Sequence, residues 1–288
     1  MNILALDGGG VKGYYSALLL GHLEKNYNIN ISSHFDIIIG TSIGSIIAFG
    51  LGYRYTANEI SNIIKTKSQD IFQKNMFGGV FKSKYSSEGL KKTLKKLFLT
   101  SKIREVNTKV MCTAYDLKTR SPIIFKSWKE DQCNISIVDV CLASAAAPGF
   151  FQPHNNYVDG GVFMNNPALI GLTEGNKLKS KNEKINLLSL GTTNFEEEIK
   201  IKNGGPLEWL RCIIDIFMDN NTDSIDYIIE PNFPDINYLR LQENSTLKIN
   251  MDDFSEYTFR RLETLSNITI FKKEVDIIKF LELSKKNT

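Results

Sequence analysis

The chain has 288 residues, 42% of them hydrophobic, with 35 Lys plus Arg against 32 Asp plus Glu and a formal charge of +3. That composition excludes a disordered or low-complexity chain, and the near balance of charge leaves no global basic field of the kind that gathers a nucleic-acid polymer. No repeat, linker or shift in composition marks a boundary, so one domain over 1–288 is expected.

The four cysteines, Cys112, Cys133, Cys141 and Cys212, form no C-x-x-C pair and meet no histidine at zinc spacing. Reduced thiols are expected, with no metal and no organic cofactor. Only six residues precede the first charge, Asp7, too few for the apolar region of a secretory signal, which makes the cytoplasm the expected compartment.

In chain order, Asn2 to Leu6 is a short apolar run that predicts a strand, and Tyr14 to Leu23 has the apolar spacing of a helix. Between them stands Asp7-Gly8-Gly9-Gly10-Val11-Lys12-Gly13, which also fits G-x-G-x-x-G. A dinucleotide site would want an acid at the end of the second strand, and a phosphate loop of the Walker type would want Ser or Thr after Lys12; neither is present. Consecutive glycines at a helix N-terminus can still aim N–H groups at a phosphate or a transient oxyanion, or form a tight turn with no ligand.

Phe35 to Ile39 predicts the second strand and Ile46 to Leu51 a buried helix, joined by Gly40-Thr41-Ser42-Ile43-Gly44. The apolar stretch Ile37 to Tyr53 approaches membrane-spanning length, but its glycines and hydroxyl residues mark it as strand, turn and helix. A serine in a G-x-S-x-G turn between strand and helix projects from the sheet as a nucleophile, or else caps the helix. Such a serine needs a base. Of the three histidines, His22 falls in the first helix and His34 before the second strand; His154 follows Ser42 but would need an acid such as Asp70, Asp116, Asp131 or Asp139.

From Lys82 to Lys109 the chain carries nine basic residues against Glu88 and Glu105, a local excess of +7. Leu90, Leu94, Leu97 and Phe98 recur there at helical spacing beside Lys91, Lys92, Lys95 and Lys96, and Met76 to Phe81 reads as a flexible apolar loop. The pattern suits either peripheral contact with an anionic membrane or a solvated helix packed through its leucines. Lys109 to Tyr115 and Ile185 to Leu190 predict further buried strands, so strands alternate with helices and imply an α/β fold with a largely parallel sheet covered on both faces.

Between these two strands lies Tyr157-Val158-Asp159-Gly160-Gly161, ending in Asn166-Pro167. Asp159 beside two glycines is accessible to close approach and can take a serine proton if desolvation raises its ordinary pKa of about 3.9; otherwise it is an Asp-Gly turn. Asn166-Pro167 reads as a helix cap.

The three motifs, in this order, resemble the patatin-like phospholipases: a D-G-G-G-x-[RK]-G loop at Asp7 to Gly13, the elbow at Gly40 to Gly44, and D-G-G at Asp159 to Gly161. The likeness extends to Tyr85-Ser86-Ser87-Glu88-Gly89-Leu90, Ala145-Ala146-Ala147-Pro148 and Met251-Asp252-Asp253. The resemblance implies a three-layer α/β/α sandwich and hydrolysis of lipid acyl esters without histidine, metal or cofactor. By the same resemblance Ser42 is the nucleophile, Asp159 the base, and the N–H groups around Gly8, Gly9 and Gly10 the oxyanion donors. Gly40, Gly44 and Gly160 support the turns, and Lys12 steadies the loop or attracts an anionic head group. Ser45 departs from the glycine common at that position. Such families include storage hydrolases, lipases, injected toxins and anti-phage effectors awaiting a cyclic nucleotide, so a small-molecule or protein activator is among the implied partners, beside the membrane phospholipid itself. The alternative is a non-catalytic lipid- or nucleotide-binding module built on the glycine loop.

Overall fold

The computed structural model describes residues 1–75, 82–195 and 221–285, together with 201, 204, 205, 209 and 216. The apolar loop expected at Met76 to Phe81, and Cys212, lie outside the described residues.

A seven-stranded sheet organises the chain. Its strands are β1 (Asn2–Leu6), β2 (Ile37–Gly40), β3 (Lys109–Asp116), β4 (Ser121–Lys126), β5 (Tyr157–Asp159), β6 (Asn186–Leu190) and β7 (Asn237–Leu241). Their order is β4-β3-β2-β1-β6-β7, with β5 paired to β3. The pairs β3–β2, β2–β1, β1–β6 and β6–β7 are parallel, whereas β4 and β5 run antiparallel to β3.

Alternation along the strands separates two apolar layers. Leu4, Leu6, Ile38, Val110 and Cys112 pack against one set of helices, and Ile3, Ala5, Ile37, Ile39 and Met111 against the other. The first set includes α1 (Gly13–Tyr27), α3 (Ile43–Tyr53), α4 (Ala57–Ile71), α5 (Ser87–Phe98), α6 (Ile137–Ser144) and the long helix Glu256–Leu283. The second is α7 (Ala168–Leu178), through Ala168 and Leu172, and the helix Asn221–Asn232, through Ile225 and Ile229. Because both faces are covered, the parallel strands read as nearly continuous apolar runs.

β2 begins two residues later than its apolar run suggests. The short helix α2 (Ile31–His34) occupies the approach, and Phe35 closes it by donating its N–H to Ile31 O while its ring fills the core. Pro167, expected as the first helical residue, is instead the N-cap of α7, and Asn166 Oδ1 accepts from Ala168 N–H at 3.0 Å just before the helix. Among the described residues no helix is long and apolar enough to cross a membrane.

β5 has a particular place. β2 runs beside the first half of β3 and ends with Gly40 opposite Cys112, while β5 runs the other way beside the second half and ends with Asp159 opposite Ala114. The two strands therefore share one lane and meet carboxyl end to carboxyl end at Thr113. Thr41 Oγ1 closes the junction at 2.8 Å from Thr113 Oγ1.

Candidate active site

The G-x-S-x-G turn is compact because its glycines leave no room for side chains. A Cβ on Gly40 would stand 2.1 Å from the Gly44 backbone, and one on Gly44 would stand 2.3 Å from Leu6 O of the neighbouring strand. The turn forces Ser42 to φ 54° and ψ −123°, a conformation that costs a non-glycine residue on the order of 1–3 kcal/mol. Hydrogen bonds hold it there: Ser42 N–H donates to Ser144 Oγ at 3.0 Å, and Ser42 O accepts from Ser45 N–H at 2.9 Å and Ser45 Oγ at 2.6 Å. Ser45 thus occupies its position by bracing the turn. Gly44→Ala is expected to destabilise the fold by about 1–3 kcal/mol, read as a lowered thermal midpoint with loss of activity, since backbone rather than a flexible side chain is the obstacle.

Asp159 is fully buried at the facing strand end. Its Oδ1 accepts from Gly161 N–H at 2.7 Å, and its Oδ2 is buried with no conventional hydrogen bond among the described residues. Burial raises its pKa to about 7, against the opposing pull of the Ser42 hydroxyl and the Gly161 N–H. The desolvation that a carboxylate base requires is therefore present beside Ser42. Gly160 lets this strand end close on β3, since a Cβ there would lie 2.0 Å from Thr113 Oγ1.

The glycine loop lies against the elbow. A Cβ on Gly8 would fall 3.2 Å from Ser42 Cβ, and Gly9 and Gly10 have φ values of 156° and 59°. Gly8 N–H, grouped with the oxyanion donors by resemblance, donates instead to Asn165 O at 3.2 Å, and Gly8 O accepts from Thr192 Oγ1 at 2.8 Å. The N–H groups of Gly9 and Gly10 have no acceptor among the described residues. Lys12 ends the loop's single 3-10 turn and is buried at 8% exposure.

Beneath the loop, Asp7 is gripped by Arg240 of β7, with Nη2–Oδ2 at 2.6 Å and Nη1–Oδ1 at 3.1 Å. Arg240 Nη1 also donates to Ser189 Oγ at 2.8 Å, and Asp226 Oδ2 lies 3.6 Å from its Nε. Met251 O accepts from Val11 N–H at 2.8 Å on the loop's other side. Of these residues, Arg240, Thr192 and Ser144 lie outside every motif read from the sequence, whereas Met251 falls in the Met251-Asp252-Asp253 likeness and Asn165 in the segment after Asp159. The signal available for Arg240 is an arginine flanked by Leu239 and Leu241.

The histidines lie elsewhere. His22 contacts Asn26 on α1, His34 Nε2 is 3.0 Å from Ser284 Oγ, and His154 pairs with Asp139 at 2.9 Å at the far end of β5. An apolar pocket opens at Ser42, lined by Gly10, Ile46, Ile64, Leu90, Phe151 and Met251 among others. Among the described residues no group of three or more His, Cys, Asp or Glu is arranged to hold a metal.

The chain matches the family model described as patatin-like phospholipase over residues 4–172. It is 29% identical over 266 residues to a cGAMP-activated phospholipase of Pseudomonas aeruginosa, covering 85% of this chain and 79% of that protein. It is 28% identical over 331 residues to Patatin-15 of Solanum tuberosum, covering 96% and 84%. Among solved structures, VipD from Legionella pneumophila aligns over 93% of this chain and 67% of its own, with a TM-score of 0.47 and 13% identity. With its family model spanning more than half of the sequence, the chain belongs to the patatin-like phospholipases and is a carboxylic ester hydrolase of the lipid acyl hydrolase class.

Proposed function

We propose that the protein cleaves acyl esters of membrane phospholipids through a dyad of Ser42 and Asp159. The observation that carries this reading is the meeting of β2 and β5, which sets a strained serine against a buried carboxylate of pKa about 7 at the mouth of an apolar pocket. Ser42 Oγ attacks the ester carbonyl carbon as its proton passes to Asp159 Oδ2. The carbonyl oxygen, now an oxyanion, accepts from Gly9 and Gly10 N–H, each such donor being worth about 2.7–4 kcal/mol in the transition state. Collapse expels the lysolipid alkoxide, which takes the proton from Asp159. Water then attacks the acyl-serine, gives its proton to Asp159, and the fatty acid leaves as Ser42 regains its hydrogen.

We read 1–288 as one patatin-like domain, since β6 and β7 continue the sheet from β1 and Arg240 and Met251 brace the loop. The three free cysteines described, Cys112, Cys133 and Cys141, suit a reducing cytoplasm. The test is mass spectrometry of a total lipid extract incubated with wild type and with Ser42→Ala. Serine-dependent release of fatty acid and lysolipid supports the reading; lipid or nucleotide binding without turnover favours the non-catalytic module.

The basic segment bears on where the enzyme works. α5 turns Leu90, Leu94 and Phe98 into the core and exposes Lys92, Lys95 and Lys96, with Lys91 half-buried, along a groove shared with Lys67 of α4. Leu90, Leu94 and Phe98 are committed to packing, so contact with lipid rests on the lysines, each worth about 1 kcal/mol near an anionic surface, with the exposed Leu99 beside them. Changing Lys91, Lys92, Lys95 and Lys96 to Gln is expected to weaken binding to anionic vesicles and leave hydrolysis of a soluble ester unchanged. Equal vesicle binding across a salt titration would reduce α5 to a solvated helix.

A further inference from the structure

We infer that Asp252 is a positioning residue that couples the wall of the acyl pocket to the oxyanion loop, an inference that rests on the dyad reading above. Met251-Asp252-Asp253-Phe254 spans the space between the two, and each residue has a separate attachment. Met251 O accepts from Val11 N–H, and its backbone lies so close to Gly10 that a Cβ there would stand 2.1 Å from the same oxygen. Asp252 Oδ2 accepts from the Tyr85 hydroxyl at 2.7 Å and from Lys84 Nζ, with only 11% of the Asp252 side chain exposed. Asp253 braces the start of the long helix Glu256–Leu283, whose N-cap is Ser255, by accepting from Ser255 N–H at 3.1 Å and Thr258 Oγ1 at 2.7 Å. Phe254 stacks on Phe72 with ring centroids 6.1 Å apart.

Lys84 and Tyr85 back the pocket wall from behind. Their N–H groups donate to Gly149 O and Phe150 O, each at 2.9 Å, and the Tyr85 ring packs 5.2 Å from Phe72 and 6.0 Å from Phe151. Phe72, Phe150, Phe151, Met251 and Gly10 all line the pocket that opens at Ser42. A rigid Asp-to-Tyr and Asp-to-Lys link therefore runs from the aromatic wall, through one peptide unit, to the carbonyl that holds Val11. A shift of the wall moves Met251 O, and Met251 O sets where the Gly9 and Gly10 N–H groups aim. Misplacement by ångströms at that point costs rate rather than binding.

The test uses Asp252→Ala, Asp252→Asn and Tyr85→Phe in the full chain, assayed on p-nitrophenyl acetate, whose two-carbon acyl group makes the least use of the apolar pocket, and followed by amide hydrogen exchange. Asp252→Ala is expected to lower kcat on the acetate by about 10- to 100-fold with little change in KM, and to speed exchange at Val11 N–H. Asp252→Asn, which keeps an acceptor for Tyr85, should recover part of both. Tyr85→Phe should lower kcat in the wild-type background and add nothing to Asp252→Ala, because both break the same link. Wild-type kcat in a folded Asp252→Ala protein, or strictly additive effects of the two changes, would overturn the coupling. Unchanged exchange at Val11 would do so independently of catalysis, whereas a wild type without serine-dependent turnover would fail the dyad reading instead.

Discussion

Ser42→Ala and Asp159→Asn are each expected to bring ester hydrolysis close to background, with the double variant little worse than either alone. Loss of the base removes a proton-transfer contribution of about 10²–10⁴-fold, and loss of the nucleophile removes the acyl-enzyme route altogether. Near-equality of single and double variants marks residues that act as one unit. Steady-state rates on a soluble ester, with circular dichroism to show intact folding, check this; substantial turnover by a folded Ser42→Ala protein would contradict the mechanism.

The pH dependence follows from the same carboxylate. Only ionised Asp159 can take the proton, so the rate should rise with pH through about 7 and level off above it. Its effect on stability runs the opposite way. The folded state holds the proton up to about pH 7, whereas the unfolded state releases it near 3.8. Between those values the folded protein binds more protons, so stability from this group is full below the lower value and is lost as pH rises through the upper one. The burial penalty on the charged form amounts to roughly 4 kcal/mol. Asp159→Asn removes it, so thermal melts should show the inactive variant gaining on wild type as pH rises from 5 to 8.

The second large effect is expected at Arg240. Asp7 is fully buried, and the guanidinium that grips both of its oxygens comes from β7, two strands away from β1 in the sheet order. Arg240→Met removes the cation offsetting that carboxylate and should cost about 3–5 kcal/mol of unfolding free energy. Asp7→Asn in the Arg240→Met background should restore much of the loss, because replacing a buried pair costs far less than breaking it. Denaturant melts of the four proteins close the cycle. A single Arg240→Met variant as stable as wild type would show that the pair does not brace the loop.

Much of the site was legible because its motifs are local. A glycine loop, a G-x-S-x-G turn and an Asp-Gly-Gly turn are each backbone solutions to a crowding problem solved within three to seven residues, and β1, β3 and α3 announce themselves by apolar runs. What was hidden depends on pairing across the chain. β4 starts with exposed residues at the sheet's edge, and β5 has only three residues, so neither shows a clear apolar run. The diversion of Gly8 N–H to Asn165 O depends on chain segments 157 residues apart, and no spacing rule reports it. The Asp7–Arg240 pair spans 233 residues. Met251-Asp252-Asp253 was visible as a motif, but its purpose rests on Val11, Lys84 and Tyr85, which only the fold brings to it.

The head-to-head lane of β2 and β5 also bears on how such an enzyme is made. Synthesis releases the chain from its N-terminus at roughly 5–20 residues per second, and Ser42 emerges long before Asp159. Until β5 docks against the outer half of β3, the serine faces an open gap at Thr113 with no proton acceptor. The loop above it awaits Arg240 and Met251, from the last fifth of the sequence. A chain cut before Asp159 thus leaves Ser42 without the buried carboxylate beside it, and one cut before Arg240 leaves the glycine loop without two of its braces.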